Sequence, residues 1–541
     1  MKIAVPILLV ALVIGSFWLR FFAVGTIPFG LNRDEAALAY NGYLLKETGK
    51  DEWQRSWPLN LESFGDYKLL GYPAVLSVLF RFLAVDDTTV RLPAVIAGSF
   101  LPLVLYFLAR RLKISTAVSV SIAALVVITP VFFFYSRMAY EATVALTIFS
   151  FGTALVFKEK YSIPYLVLMV LVFSASLFTY NTPLLLLPLV VVMIPLVQGI
   201  SNSKRWLLPV GLFFIIWLSA YISLSQTLAQ KSGITIFSDI TVRLEDYPQY
   251  RDQFNGINKT ILGNHLVFYS RTIAENIIKT ISPRFLVQTG GAHPWHSLLG
   301  WAHLNWSELL LLYGGVLALI FSIGKKVYRK SMISSVRKKL LTESWLKYPT
   351  TRYVLILYLC IVSAVPAAIT TDAPHATRSL FFFLMAVLVG GVGIEIAGSF
   401  VAQQYKRKLL LLILCSVLSY SIVHFAMYSK EYFSSYSSLS ARLFQSGFIE
   451  AVKVAEARYP DQTIDVVDQG GYQYIILSWY KPITPQEFFS TSIRQLPNSI
   501  GFRYGERVSH FHFIDKPEDR LNGEKAYIIW DDIHFQWLVK E

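Results

Sequence analysis

Two adjacent carboxylates, Asp34 and Glu35, stand in the stretch Phe29-Gly30-Leu31-Asn32-Arg33-Asp34-Glu35-Ala36, just past a long apolar run. Acids are costly to hold beside hydrocarbon, so in a membrane-spanning chain they are ordinarily kept for proton transfer or ion binding. Acids are also favoured in the first turn of a helix, where they answer its dipole. The pair alone fits either use. Further ionisable residues lie in the segments between apolar runs: Asp66, Lys68, Arg137, Glu141, Arg284, His375 and Arg378. His293 and His296 have a spacing that suits a metal pair, but no cysteine or acidic cluster near them completes a site, and a surface loop is the expected setting.

The elements that position these residues follow from composition. The 541 residues are 54% hydrophobic and 16% charged, with a mean hydropathy of +0.48. A soluble chain carries roughly a quarter charged residues, and repeated apolar runs of about 20 residues are the signature of membrane-spanning helices. The expected class is an α-helical polytopic membrane protein. Cys360 and Cys415 both fall inside apolar runs and read as small core residues. The first segment, Ile3 to about Phe22, lacks a small-residue cleavage site and is expected to be a retained anchor.

Eleven spans are expected, over 3–23, 91–110, 114–134, 142–158, 162–180, 183–200, 206–225, 307–324, 353–370, 379–399 and 409–428. The net charge of +14 is gathered into clusters between them. These are Arg110, Arg111 and Lys113; Lys158 and Lys160; Lys204 and Arg205; Lys325, Lys326, Arg329, Lys330, Arg337, Lys338 and Lys339; and Lys406, Arg407 and Lys408. If Lys2 is cytoplasmic, simple alternation puts every cluster on the cytoplasmic side, as the positive-inside rule requires. The charge is therefore read as topology and contact with lipid headgroups rather than nucleic-acid binding.

The same alternation sends the loops 24–90, 226–306 and 371–378 and the tail 429–541 to the outer face. Segment 72–84 is apolar but too short to span, which suits a helix lying in the interface. Residues 1–428 are expected to form the membrane domain and 429–541 a small α/β domain outside. In that tail, Phe448 to Tyr459 has the pattern of an amphipathic helix, and Thr463 to Val467 reads as a strand. Gly471 to Tyr480 reads as a helix, and Val508 to Ile514 and Ala526 to Trp530 alternate like strands.

In order along the chain stand Asn32-Arg33-Asp34-Glu35-Ala36, Phe64-Gly65-Asp66-Tyr67-Lys68-Leu69-Leu70-Gly71-Tyr72-Pro73, Val90-Arg91-Leu92-Pro93-Ala94 and Tyr135-Ser136-Arg137-Met138-Ala139-Tyr140-Glu141. Ser282-Pro283-Arg284-Phe285-Leu286 and Asp372-Ala373-Pro374-His375-Ala376-Thr377-Arg378 follow. This series resembles the GT-C superfamily of integral membrane glycosyltransferases. It is most similar to the branch holding the protein O-mannosyltransferases and the aminoarabinose transferase that modifies lipid A. Two departures fall on donor contacts. Lys68 is followed by Leu69 and Leu70 where the family often reads Lys-Pro-Pro, and the loop Gly290 to His296 carries Trp295 where relatives often have a basic residue.

The resemblance implies a hexosyl- or pentosyltransferase that takes its sugar from a polyprenyl phosphate and passes it to an acceptor hydroxyl on a protein, polysaccharide or lipid. Asp34 is then the base of a single inverting displacement, with Glu35 supporting it, binding the acceptor or capping the helix. The lipid phosphate needs fixed cations as it leaves; some members of the superfamily use a divalent cation, but the branch resembled implies no essential metal or other cofactor, a divalent cation staying open. Lys68, Arg137 and Arg378, with His375, are the candidates for the phosphate contact. Other uses stay open: snorkelling for Lys68, a pair with Glu141 for Arg137, interfacial anchoring for Arg378. Asp66, Glu141 and Arg284 are candidates for a supporting or acceptor role. The rival function is a transporter or flippase of lipid-linked sugars, which places ionisable groups near the bilayer midplane; here they gather at one face.

Overall fold

The computed structural model describes residues 4–291, 295–328, 343–401, 403–460, 462–498, 501–520 and 526–540. Lys2, His293 and the cluster residues Arg329, Lys330, Arg337, Lys338 and Lys339 lie outside the described residues.

Seven helices among the described residues are long and apolar enough to cross a membrane: Ala4–Phe21, Asp87–Arg111, Ser203–Ser223, Trp306–Lys325, Pro349–Ala368, Thr377–Ser399 and Lys408–Leu439. Four shorter apolar helices, Thr116–Ile128, Glu141–Val156, Ile163–Leu177 and Thr182–Gln198, fall on the remaining expected segments. Proline accounts for some of the shortening: Thr116–Ile128 stops just before Pro130, and Pro188 interrupts Thr182–Val191. The chain is an α-helical multi-pass membrane protein with a small C-terminal sheet domain.

The described chain divides into two compact units. The first comprises 1–20, 96–136 and 142–430; the second comprises 21–95, 137–141 and 431–541.

At the centre of the first unit lies helix Leu380–Ser399, buried along nearly its whole length. It packs on Trp306–Tyr328, Pro349–Ala368 and Thr116–Ile128. Glycines make the closest approach possible, because a Cβ on Gly315 would sit 2.4 Å from the Val389 carbonyl and one on Gly393 would sit 2.5 Å from the Gly315 Cα. Small residues let membrane helices touch backbone to backbone, where dispersion must replace the hydrophobic effect. Arg20, fully buried, donates to Ser16 Oγ at 2.7 Å and to the Val126 and Val127 carbonyls at 3.4 and 3.3 Å. Those carbonyls end a helix that Pro130 cannot continue, so a buried guanidinium serves acceptors the helix leaves open.

The second unit holds helix Arg33–Thr48, the hairpin Asn60–Ser63/Asp66–Leu69, helix Gly71–Leu79 and the tail domain. Gly71–Leu79 buries Tyr72, Pro73 and Leu76, while Val75 and Val78 stay exposed, the two-sided apolar character of an interfacial helix. The tail is a six-stranded sheet in the order Ile493–Arg494, Gly505–Val508, Phe511–Ile514, Ile464–Val467, Tyr527–Asp531, Gln536–Lys540. Ile464–Val467 is the central strand and runs parallel to both neighbours. Helices Phe448–Arg458 and Gln473–Tyr480 form where the periodicity predicts them. The expected strand Val508 to Ile514 is instead the end of one strand and all of the next. The chain reverses at Ser509, whose φ of +56° is a turn conformation that alternation of apolar residues does not reveal.

Candidate active site

Asp34 and Glu35 open helix Arg33–Thr48, and its start is built from the sequence Asn32-Arg33-Asp34-Glu35. The Asn32 side chain accepts from the Asp34 and Glu35 amides at 2.9 and 3.0 Å, and Glu35 Oε2 accepts from the Asn32 amide at 3.2 Å. This capping box satisfies amides that a helix start leaves open. It also turns the two neighbouring carboxylates in different directions.

Glu35 points inward and is 1% exposed. Arg91 donates to it through Nε at 2.9 Å and Nη2 at 3.1 Å, and the Ala139 amide donates at 2.8 Å. Arg91 is itself fully buried and also donates to the carbonyls of Val24, Pro28 and Gly30. One guanidinium thus fixes both the loop before the helix and the acid inside it. In the sequence Arg91 stands within Val90-Arg91-Leu92-Pro93-Ala94, at the start of an apolar span, and an arginine there is the available signal, because such a charge must find partners.

Asp34 faces the other way, with its side chain 31% exposed. Lys68 Nζ lies 2.6 Å from Asp34 Oδ1 and 2.6 Å from Asp66 Oδ2. Lys68 and Asp66 are two residues apart on strand Asp66–Leu69, and side chains at that spacing share one face. The hairpin turns tightly through Phe64 and Gly65, with φ of +44° and +80°. A two-residue turn with both φ positive matches the twist of its strands. A Cβ at Gly65 would also stand 2.5 Å from the Arg503 amide.

Asp34 and Lys68 favour each other's charge. Burial alone would raise the Asp34 carboxyl, but Lys68 and Arg33 outweigh it and hold it below the usual carboxylate range. Burial likewise works against the Lys68 ammonium, and Asp34, Asp66 and Glu141 together push it above its ordinary value. Glu141 is therefore close enough to join the electrostatics of Asp34 and Lys68, and it is 8% exposed.

A second buried acid anchors the hairpin to the helix. Glu52 accepts from Asn41 of helix Arg33–Thr48 at 2.6 Å, from the Ser63 hydroxyl, from Tyr474 at 2.9 Å and from Arg494 at 3.2 Å. Burial raises its carboxyl, and Arg494 and these hydrogen bonds oppose the rise. The Phe64 amide donates to Tyr474 Oη at 2.8 Å. Through Glu52 and Tyr474 the tail domain holds the hairpin that carries Lys68. Nothing in the sequence near Glu52 points to this role, because Tyr474 and Arg494 lie over four hundred residues away.

Arg137 belongs to the same unit but is occupied with backbone. It donates to the Phe22 carbonyl at 2.7 Å, Ile27 at 3.2 Å and Ala23 at 3.4 Å, and its guanidinium lies 4.9 Å from the Phe433 ring.

Arg378 and His375 belong to the first unit. Arg378 pairs with Asp372 and donates to Thr370 Oγ1 at 3.1 Å. His375 Nε2 lies 3.7 Å from Asp372, and its ring centroid is 4.7 Å from that of His296. His296 Nδ1 is 2.9 Å from Tyr135 Oη. Burial, then Arg378 and His296, push the His375 imidazole down to about 3. The imidazole is therefore neutral at pH 7. Arg284 begins the short helix Arg284–Gln288 and is exposed. The structure brings Asp34, Lys68, Asp66 and Glu141 into one group and Arg378 and His375 into another. Among the described residues no three histidine, cysteine or acidic side chains cluster as metal ligands.

No protein-family model matches the chain, and a search of curated proteins finds no match. Solved structures do resemble it. ArnT from Cupriavidus metallidurans in the apo state aligns over 87% of this chain and 84% of its own, at 11% identity and a TM-score of 0.49. The undecaprenyl phosphate-bound ArnT aligns over 87% and 84%, at 12% identity and a TM-score of 0.46. The archaeal oligosaccharyltransferase AglB from Archaeoglobus fulgidus, in complex with an inhibitory peptide and a dolichol-phosphate, aligns over 88% of this chain at 11% identity and a TM-score of 0.48. This chain spans 60% of AglB. The residues described above, and not these likenesses, carry the functional reading.

Proposed function

We propose that this membrane protein transfers a sugar from a polyprenyl phosphate to an acceptor hydroxyl at the outer face, with Asp34 as the base. The observation that carries the reading is the Lys68 ammonium held 2.6 Å from both Asp34 and Asp66 beside a half-open carboxylate. A base must be ionised and reachable by its substrate. Asp34 is both; Glu35, buried and fully engaged, is a positioning residue.

The steps balance simply. The acceptor oxygen attacks the anomeric carbon, the bond from that carbon to the phosphate oxygen breaks, and the acceptor proton passes to Asp34 Oδ2. The configuration inverts. An ammonium has three donors; Lys68 spends two on carboxylates, which leaves the third for an oxygen of the departing lipid phosphate. Neutralising that developing charge is the larger catalytic task, because a phosphate leaves without an acid to protonate it. Arg378 and neutral His375 are proposed as further phosphate contacts, Glu141 as an electrostatic partner of Lys68, and Arg137 as a framework cation. The donor is membrane-bound, and no metal takes part, so turnover in membrane vesicles is expected to survive EDTA.

The test is mass spectrometry of envelope glycans in cells lacking the protein, restored with the wild type or with Asp34→Asn. The wild type should restore the missing glycan and the variant should not, while the polyprenyl-phosphate sugar accumulates. Full restoration by Asp34→Asn would remove Asp34 as the base.

A further inference from the structure

The tail sheet contains a crevice of about 240 Å³ whose lining has no part in holding Lys68 or Asp34. It opens past the ends of the two parallel strands Ile464–Val467 and Tyr527–Asp531, among Gln445, Asp468, Tyr472, Gln473, Trp530 and Trp537. Ile464–Val467 is parallel to a strand on each side, and the crevice lies outside its carboxyl end. Ligands in open α/β sheets favour the crevice outside the carboxyl ends of strands.

Two buried polar atoms of the lining have no hydrogen-bond partner among the described residues: the acceptor Gln473 Oε1 and the donor Trp537 Nε1. Gln473 is 4% exposed. Its orientation is set by a relay, in which Gln445 Nε2 donates to the Arg442 carbonyl at 2.7 Å and Gln473 Nε2 donates to Gln445 Oε1 at 2.6 Å. The relay ends on an acceptor with nothing to accept, a costly arrangement for a buried group. Gln445 is also held at φ +55°, a conformation that costs a side-chain-bearing residue energy and tends to collect at ligand sites.

The chemistry of the lining selects the ligand. Arg442 is paired with Asp532 at 2.5 Å, and the buried Asp468 carboxyl accepts from the Gly471 and Gln473 amides at 2.7 Å each, so the lining offers an anion an arginine already paired and an acid. Trp530 and Trp537 are cross-strand partners with ring centroids 5.7 Å apart, and they supply apolar faces with polar edges. A hydroxyl both donates and accepts, which is what the two unpartnered atoms require. The volume is small beside the roughly 300–1,000 Å³ of drug-sized sites and suits a single ring.

We propose that this crevice binds a neutral sugar ring. Tyr472, on its wall, stacks under the guanidinium of Arg33 at 5.4 Å, and Arg33 precedes Asp34 in the chain. The bound ring is then part of the acceptor, an assignment that rests on the transferase reading, whereas the binding itself does not.

Saturation-transfer NMR on the full chain in nanodiscs tests it, with methyl glucoside, methyl mannoside, methyl glucuronide and a Ser/Thr-rich peptide as probes. A neutral glycoside should receive saturation, and the glucuronide and peptide should not compete with it. Trp537→Phe keeps the packing on Phe448 and removes the donor; Gln473→Met keeps the volume and removes the acceptor. Each should weaken the glycoside about three- to tenfold, the range for one lost hydrogen bond, with the melting temperature of the protein checked alongside. Asp34→Asn should bind as the wild type does. No saturation of either neutral glycoside, equal or better binding of glucuronide or peptide, or unchanged binding in both variants would each overturn the proposal. Binding without any turnover in the wild type would leave it standing and remove the transferase reading alone.

Discussion

The acidic group around Lys68 and the histidine group around Arg378 treat charge in opposite ways. In the first, the Lys68 ammonium lies 2.6 Å from Asp34 and from Asp66, and Lys68 and Asp34 hold each other ionised. In the second, the arginine is matched by Asp372, and burial keeps His375 neutral. A proton-abstracting site needs the first arrangement, with a base already charged and a cation standing by. The second can orient a ligand but has no group ready to take a proton at neutral pH. On the proposed transferase reading, chemistry falls to the first group and orientation to the second.

The largest effect should come from breaking the first arrangement. Asp34→Asn keeps the shape and removes the base, so turnover should fall by about 10²–10⁴, the usual worth of general base catalysis. The melting temperature should change little, because Asp34 is partly exposed. Initial rates with a polyprenyl-phosphate sugar and donor binding by the same protein provide the check. A variant that retains a tenth of the wild-type rate would move the base elsewhere.

Glu35, one residue on, should behave quite differently. Glu35→Ala leaves Arg91 as a buried cation without its carboxylate, and losing one member of a buried pair costs about 3–5 kcal/mol. The expected result is a clear drop in melting temperature and yield, with turnover per folded molecule reduced far less than in Asp34→Asn. The reverse pattern would exchange the two roles.

This difference between neighbours marks how far the sequence could be read. The eleven apolar segments were legible because the bilayer demands long apolar runs, and their helices fall where the runs are. Asp34 was legible from its place beside a span. The separate fate of Glu35 was not, because it depends on Arg91, fifty-six residues later. The hold of Glu52 on the hairpin was hidden for the same reason, since Tyr474 and Arg494 reach it only after folding. Local patterns such as the capping box could be read from spacing alone, whereas burial and long-range partners could not. Ser509 illustrates a smaller limit: a left-handed turn split one expected strand in two.

The pH dependence sharpens the contrast further. Asp34 is depressed in the folded chain, so the stability it contributes is present above its unfolded value near 3.9 and is lost as pH falls through the lower folded value. The acid limb of turnover set by Asp34 should therefore lie below about pH 4 in the wild type. Lys68→Met removes the largest lowering influence and leaves burial, which raises. The acid limb should move upward in that variant, along with a higher KM for the lipid donor. An unmoved limb would mean that Lys68 does not hold Asp34 ionised.

The smallest effect is expected in the histidine group. With its imidazole pushed down to about 3, His375 carries no charge between pH 5 and 8 and offers a phosphate only a hydrogen bond. His375→Gln keeps a neutral donor of similar reach, so donor affinity should change by no more than about one hydrogen bond, three- to tenfold. The change should be the same across that pH range, since nothing at position 375 titrates in it. Donor KM measured from pH 5 to 8 for both proteins decides the matter. If the wild type shows a titration near the ordinary histidine value of about 6.5 that His375→Gln abolishes, His375 is charged when it works. The two groups would then share the task of holding phosphate by charge, and the division between chemistry and orientation would fall.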